Sequence, residues 1–140
     1  MDETSRKIFL DTNVLIYAYS GTEAEKKALV LPLLEDELVC LSTQVVNEFV
    51  WVMNKKFSVP MDSLRHIVKN LFGLYQVGVI NDATIAKAMD MSAQLKFPYW
   101  DSLIVASALE SGCDVIFTED LQHGQVIDNR LTVRNPFKAL

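Results

Sequence analysis

The sequence predicts an α/β fold with a mostly parallel sheet that helices cover on both faces. Short apolar runs alternate along the chain with longer segments that have helical periodicity. The runs are almost wholly apolar, which is typical of strands buried in a parallel sheet. No repeat, low-complexity stretch or Gly/Ser-rich linker interrupts the 140 residues. We therefore expect a single domain over residues 1–140, with residues 1–6 as a loose polar tail.

Five strands and five helices are predicted from these patterns. The predicted strands are Lys7–Leu10, Leu38–Leu41, Val77–Ile80, Val115–Thr118 and, at the edge of the sheet, Leu131–Val133. The predicted helices are Thr22–Glu35, Thr43–Lys56, Pro60–Phe72, Ala83–Lys96 and Asp101–Ser111. Thr22 and Glu25 have the spacing of a capping box, and Ser42 or Thr43 is the expected cap of the second helix. Gly112 stands where a left-handed residue closes the last helix.

Composition favours a globular protein without membrane contact. Half of the residues are hydrophobic and 22% are charged, which is ordinary for a folded domain. The longest uncharged stretch, from Asn70 to Asn81, is well short of the ~18 residues of a membrane helix. Residues 1–6 lack the apolar segment of a signal peptide. Cys40 and Cys113 have no metal-binding spacing, so we expect reduced, buried thiols and a cytoplasmic location.

The net charge limits how this chain binds nucleic acid. The formal charge is −5 and the isoelectric point is about 4.9. These values argue against a protein that binds phosphates through a general basic surface, which needs clustered Lys and Arg. They leave nucleic acid open as a substrate if bound metal ions reverse the local charge.

Carboxylates recur where the predicted strands end. Asp11 directly follows the first strand, and Asp120 lies just beyond the fourth. Glu48 lies in the second turn of the helix after the second strand, and Asp101 begins the fifth helix. In parallel sheets, ligands bind beyond the carboxyl ends of the strands. We therefore expect the four acids to meet at one edge of the sheet.

Each acid also has a simpler interpretation. Asp11 suits a cap or turn after a strand, and Asp101 is a candidate helix N-cap. Asp120 is consistent with an ordinary loop residue, and Glu48 with a solvated helix face. Taken one at a time, none of the four identifies a site.

As a group, the four acids predict a cation site. If they lay within about 5 Å of one another, each pair would repel by about 3 kcal/mol at an effective dielectric near 20, or about 20 kcal/mol for all pairs. That energy is comparable to the stability of a whole domain. Such a group has to take up protons or cations, and oxygen ligands without His or Cys favour Mg²⁺ or Mn²⁺. A site of this kind suits attack of a metal-activated water on a phosphodiester.

Four motifs in the chain resemble, in order and spacing, those of the PIN domain family, and in particular of its bacterial VapC-like toxins. The first family motif is similar to FLDTNVLIYAY, with the acid at Asp11, and the second to LSTQVVNEF, with Glu48. The third is similar to YWDSLIVASAL, with Asp101, and the fourth to FTEDLQHG, with Asp120. The resemblance spans roughly Lys7 to Phe137, and the closing VRNPF resembles one bacterial subgroup.

The resemblance implies a fold, an activity and roles for residues. The fold is a three-layer α/β/α sandwich, and the activity is metal-dependent endonuclease cleavage of single-stranded or structured RNA. The four acids are implied to be catalytic and to bind Mg²⁺ (or Mn²⁺). Three residues are implied to support them by hydrogen bonds, namely Asn13, Ser42 and Thr118. Glu119 is an extra carboxylate beside Asp120, and the sequence leaves open whether it competes with Asp120 as a ligand.

The resemblance also implies partners. Members of the family form homodimers, and many pair with a small antitoxin protein that blocks the site in a type II toxin–antitoxin system. The alternative that the sequence leaves open is a catalytically idle PIN-like module that binds RNA or a partner protein. A haloacid-dehalogenase-like phosphatase is disfavoured, because it needs a second Asp where this chain has Asn13.

Overall fold

The computed structural model describes residues 6–139, which form one six-stranded sheet and six helices. The strands are β1 (Lys7–Leu10), β2 (Leu38–Ser42), β3 (Gln76–Gly78), β4 (Val115–Phe117), β5 (Val126–Ile127) and β6 (Leu131–Arg134). The helices are α1 (Thr12–Tyr19), α2 (Ala24–Asp36), α3 (Thr43–Lys55), α4 (Met61–Leu74), α5 (Asp82–Leu95) and α6 (Tyr99–Glu110). Residues 1–5 of the predicted tail lie outside the described residues, and Arg6 forms an ion pair with Glu37.

The order of the strands creates a switch point at the centre of the sheet. The order is β3-β2-β1-β4-β6-β5, and every pair of neighbours is parallel except β5 and β6. Phe9 of β1 lies opposite Cys40 on one side and Ile116 on the other. The chain moves outward from β1 to β3 and then crosses back to β4. Ligands of open α/β sheets bind where the order reverses in this way, here between β1 and β4.

The connections place helices on both faces of the sheet. Parallel crossovers are right-handed, so α1 to α4 lie on one face, and α5 and α6, on the return path, lie on the other. In agreement, α1 packs against α2 and α3, α3 packs against α4, and α5 packs against α6. The predicted three-layer α/β/α sandwich with a mostly parallel sheet is confirmed.

The core is formed by the central strands and by a helix that is buried on all sides. Ile8, Phe9 and Leu10 of β1 are fully buried, and so is almost all of α6 from residue 102 to residue 109. A helix that is apolar all round needs cover on every face, which the sheet and α5 provide. Cys40 and Cys113 are buried and free, as predicted. Within residues 6–139, no helix is both long and apolar enough to cross a membrane.

Two elements are missing from the prediction, α1 and β5. Helix α1 has only eight residues, and five of them are buried, so it lacks the polar face that reveals an amphipathic helix. It also follows β1 after a single residue, so only Asp11, Thr12 and Asn13 separate the apolar residues of the strand from those of the helix. Strand β5 has two residues, too few for an alternating pattern.

The predicted capping box at Thr22 and Glu25 is wrong. Helix α2 begins at Ala24, and its N-cap Glu23 makes no side-chain capping bond. The Thr22 hydroxyl lies 2.8 Å from Ser20 Oγ, and the Thr22 amide donates to the same oxygen. Local bonding of Ser and Thr side chains after α1 competes here with helix capping.

Helix α6 begins two residues before the predicted start. Its first residue is Tyr99 and its N-cap is Pro98, so the interpretation of Asp101 as the N-cap is wrong. Proline suits a helix start, because its fixed φ is compatible with the helix and its missing N–H has no partner to lose there. Asp101 lies in the first turn, where its charge is favoured by the helix dipole.

The glycine after α6 gives a stability prediction. Gly112 has φ of +76°, the left-handed conformation predicted from the sequence. Gly112→Ala should lower the free energy of unfolding by about 1–2 kcal/mol, because a Cβ is strained there. Gly73→Ala, in the last turn of α4 with no atom within 4 Å of the added Cβ, should instead raise it by up to about 0.5 kcal/mol. Urea unfolding measures both, and equal effects of the two changes would contradict the assignment.

Candidate active site

A cleft of about 500 Å³ opens at the carboxyl edge of the sheet, beside the switch point between β1 and β4. The four acids predicted from the sequence all line it: Asp11, Glu48, Asp101 and Asp120. None of the described residues that line the cleft is Lys, Arg or His. The two ion pairs found among the described residues involve other acids, Glu37 and Glu119. The described lining of the cleft therefore carries negative charge that no cation within the lining offsets.

Asp11 is held in place by both the sheet and α1. Its side chain is 9% exposed. Its backbone N–H donates to the carbonyl of Phe117 at 3.1 Å, which extends the β1–β4 pairing by one residue. Oδ1 accepts a bond from the backbone N–H of Thr12 at 2.7 Å, and Oδ2 accepts one from Thr118 Oγ1 at 2.7 Å. Asp11 is thus the N-cap of α1 as well as a residue of the cleft.

Burial makes the Asp11 carboxylate costly. Desolvation raises the pKa of Asp11 from 3.8 to about 6. The hydrogen bonds from Thr118 and Thr12 lower this pKa, while the nearby charges of Asp120 and Asp101 raise it further. The negative form is therefore more costly in the folded protein than in water, although two donors stabilise it.

Glu48 is placed by the start of α3 and bonded to α1. Ser42, the last residue of β2, accepts a bond at Oγ from the backbone N–H of Val45 and so caps α3. One turn further, Glu48 Oε1 accepts a bond from Thr12 Oγ1 at 2.6 Å. Thr12 therefore donates to two acids of the cleft, through its backbone to Asp11 and through its hydroxyl to Glu48.

Asp101 and Asp120 complete the acidic wall. Partial burial raises the pKa of Asp101, and the charges of Asp120 and Glu48 add to that effect. Asp120 is exposed, and its backbone N–H donates to Thr118 Oγ1 at 3.1 Å. The buried hydroxyl of Thr118 therefore connects the two acids, because it donates to the Asp11 carboxylate and accepts from the Asp120 backbone.

The four acids share the cleft without forming a closed coordination shell. Among the described His, Cys, Asp and Glu residues, no group of three or more is arranged to hold a metal ion. Mutual repulsion keeps carboxylates apart when no cation lies between them. The repulsion calculated above for a 5 Å cluster is therefore larger than in this arrangement. The carboxylate and amide oxygens that line the cleft are nevertheless the kind of ligand that suits a hard divalent ion such as Mg²⁺ or Mn²⁺.

The predicted supporting residues differ in position. Asn13 is exposed and lines the cleft, and Thr118 bonds Asp11 directly. Ser42 does not line the cleft; its fully buried hydroxyl caps α3. Glu119 also lies outside the cleft lining, because both of its carboxylate oxygens are bonded to other residues, Tyr17 and Lys26.

Several lining residues are absent from the predicted site. Gln44 is 8% exposed; its Nε2 donates to the carbonyl of Trp100 at 3.3 Å, while Oε1 has no partner among the described residues. Trp51 and Trp100 are 65% and 63% exposed and stand at the same cleft. The helical spacing of Gln44, Glu48 and Trp51 is visible in the sequence, so periodicity alone places them on one face of α3.

Comparison with known protein families decides what kind of domain this is. The family model described as "PIN domain" matches residues 8–128. This chain belongs to the PIN domain family. The predicted family is confirmed, and the match includes all four acids of the cleft. No curated protein sequence matches this PIN domain.

Solved structures with the same fold come from several bacteria. VapC20 of Mycobacterium tuberculosis, described as a "Sarcin-Ricin loop cleaving toxin", is 15% identical, with a TM-score of 0.66 over 81% of this chain and 91% of its own. VapBC2 of Rickettsia felis, bound to a promoter DNA fragment, is 15% identical, with a TM-score of 0.65 over 92% of this chain and 99% of its own. A toxin–antitoxin complex from Klebsiella pneumoniae is 19% identical, with a TM-score of 0.66 over 92% of this chain and 97% of its own. At these identities the likeness shows the fold that this PIN domain shares with them.

The raised pKa of Asp11 predicts a pH-dependent stability. The folded protein binds the Asp11 proton more tightly than the unfolded chain, so ionisation destabilises the fold as pH rises from about 4 to about 6. In EDTA, Asp11→Asn should gain about 2 kcal/mol relative to wild type between pH 4 and pH 7.5. Urea unfolding at the two pH values measures this.

A surface carboxylate provides the control for that measurement. Asp90 is exposed on α5, and Asp90→Asn should change stability by less than about 0.5 kcal/mol at either pH. A difference between Asp11→Asn and wild type that stays constant with pH would show that burial does not perturb Asp11.

Proposed function

We propose that this PIN domain is a Mg²⁺- or Mn²⁺-dependent endoribonuclease that hydrolyses RNA phosphodiester bonds. The observation that carries the proposal is the acidic cleft, which surrounds a buried carboxylate and has no Lys, Arg or His among its described lining residues. Such a cleft repels a polyanion unless a divalent cation lies between them. Membership of the PIN domain family supports the same assignment.

In this proposal the four acids hold the metal, and neighbouring residues fix their orientation. When bound, a divalent ion lowers the pKa of an attacking water and offsets the phosphate charge. Thr12 and Thr118 orient the Asp11 carboxylate, and Thr12 also orients Glu48. Donors of this kind tune ligand position and basicity in metal sites. Asn13 presents its exposed amide at the mouth of the cleft, where it is suited to bind water or substrate.

Ser42 has an indirect role in the proposed mechanism. Its hydroxyl bonds the third residue of α3, so its effect on the site runs through the position of that helix and of Glu48. This differs from the direct hydrogen bond to the acids that the sequence suggested.

We further propose a biological setting, as the toxin of a type II toxin–antitoxin pair in the cytoplasm. The support is the shared fold: VapC20 is described as a "Sarcin-Ricin loop cleaving toxin", and the Klebsiella structure as a toxin–antitoxin complex. By that likeness, the expected partners are an RNA substrate, a small antitoxin protein and a second copy of this chain.

One observation favours a second candidate, a PIN-like module that binds RNA or a protein without turnover. No group of three acids among the described residues is arranged to hold an ion, which is the arrangement expected if the acids serve only as a charged surface. The two candidates differ in whether the chain cleaves RNA.

Cleavage of a mixed RNA pool with Mg²⁺ or Mn²⁺ tests the proposal. Wild type should cleave, EDTA should abolish the activity, and Asp11→Asn should lower the rate by at least about 100-fold, beyond the effect of losing an outer partner of a metal ligand. Asp90→Asn, which removes an exposed carboxylate on α5 that does not line the cleft, should cleave like wild type.

Two results would contradict the assignment. Equal cleavage by wild type and Asp11→Asn would mean that the activity comes from a contaminant or from another site. Binding of RNA by wild type without cleavage, in the presence of either metal, would support the idle module.

A further inference from the structure

A charged cluster beside the cleft joins three distant parts of the chain. It consists of Tyr17 in α1, Lys26 in α2 and Glu119 in the loop after β4. The Tyr17 hydroxyl donates to Glu119 Oε1 at 2.7 Å, and Lys26 Nζ donates to Glu119 Oε2 at 3.2 Å and to the Tyr17 oxygen at 3.2 Å. We call this set the Glu119 anchor. Both oxygens of one carboxylate are thereby occupied.

The Glu119 anchor is packed as well as bonded. The ring of Phe137 meets the ring of Tyr17 edge to face at 5.1 Å, and Lys26 Nζ lies 4.6 Å from the Tyr17 centroid and 5.1 Å from that of Phe137. The side chains of Lys26 and Glu119 are 25% and 22% exposed. A charge-assisted network with this much cover is more rigid than a fully exposed ion pair.

The anchor adjoins two residues of the cleft. Glu119 lies between Thr118, which bonds Asp11, and Asp120, which lines the cleft. The Asp120 side chain makes no hydrogen bond with the described residues; only its backbone N–H is bonded, to Thr118. The direction of the Asp120 carboxylate therefore depends on the backbone at positions 118–120. That backbone is fixed through Thr118 on one side and through the Glu119 anchor on the other.

The Glu119 anchor also keeps the negative charge of Glu119 out of the cleft. A free Glu119 would be a fifth carboxylate next to Asp120 and would compete with it for a cation. Because Lys26 and Tyr17 bond both Glu119 oxygens, the charge of Glu119 is offset and its side chain lies outside the cleft lining.

We infer that Tyr17 and Lys26 are positioning residues for Asp120: by holding Glu119 they keep the loop at 118–120 in the conformation that turns the Asp120 carboxylate into the cleft. This inference rests on the proposed function, in which Asp120 binds a divalent ion. The residues act through Glu119 and touch neither the ion nor the RNA.

Tyr17→Phe is the direct test, because it removes the hydroxyl and keeps the ring that packs on Phe137. The dissociation constant of Mn²⁺, measured from the electron paramagnetic resonance of free Mn²⁺, should rise about 5-fold, somewhat less than for loss of a direct partner of a ligand. The kcat for RNA cleavage should fall by a similar factor while KM for RNA stays within about 2-fold, since the RNA contacts are unchanged.

Tyr19→Phe is the matched control. Tyr19 lies on the same helix, is half-buried against Phe49, and its hydroxyl has no hydrogen bond with the described residues. This variant should leave the Mn²⁺ affinity and kcat unchanged. Both variants should melt within about 5 °C of wild type. If Tyr17→Phe does not, Lys26→Met replaces it, with the same expected changes in Mn²⁺ affinity and in kcat.

A second background separates positioning from general structural damage. In Asp120→Asn, Tyr17→Phe should cause no further change in Mn²⁺ affinity, because its effect runs through Asp120. Unchanged Mn²⁺ affinity in Tyr17→Phe, or an equal loss in both backgrounds, would overturn the inference. A wild type that neither binds Mn²⁺ nor cleaves RNA would instead overturn the proposed function.

Discussion

The buried carboxylate of Asp11 is the constraint on which the rest of the structure depends. Its backbone extends the pairing of the two central strands, one carboxylate oxygen caps α1, and the other is bonded to Thr118 in the loop after β4. Desolvation raises its pKa to about 6, so the fold stabilises the charged form only in part. Strongly perturbed carboxylates in clefts are typical of functional sites. The same contacts that make Asp11 a local cap also fix it at the switch point of the sheet.

The acidic cleft follows from that arrangement. Because the strands are parallel, their carboxyl ends meet at one edge, and elements that leave this edge bring Glu48, Asp101 and Asp120 around Asp11. The neighbouring negative charges raise the pKa values of Asp11 and Asp101, and no described residue of the lining carries a positive charge to offset them. No three of the described acids are arranged to hold an ion, but the oxygen ligands that line the cleft are of the kind that a hard divalent cation prefers. The PIN domain thus combines a stable, buried sheet with an edge whose charge is favourable only with a counter-ion.

The sequence predicts the elements whose signal is local. Strand β1 is predicted with its observed bounds, because a short buried apolar run needs no partner to be recognised. Helix α1 is not predicted, since it is short and buried on most sides. Asp11 and Asp120 are predicted from their places after strands, and Glu48 and Asp101 from their places near helix starts and from the family motifs, but the hydrogen bonds of the four acids are not predicted. The bond from Thr12 to Glu48 and the anchoring of Glu119 by Tyr17 join residues 36 and 102 positions apart, which no spacing rule reveals.

The central claim is that the four acids of the cleft together bind a hard divalent ion, and anomalous scattering from crystals grown with Mn²⁺ tests it most directly. We expect an anomalous peak in the cleft, with the carboxylate oxygens of Asp11, Asp101 and Asp120 within about 2.0–2.6 Å of the ion and with Glu48 bound to it directly or through a water molecule. Millimolar Mn²⁺ that gives no peak there, or peaks only at other acids on the surface, would contradict it.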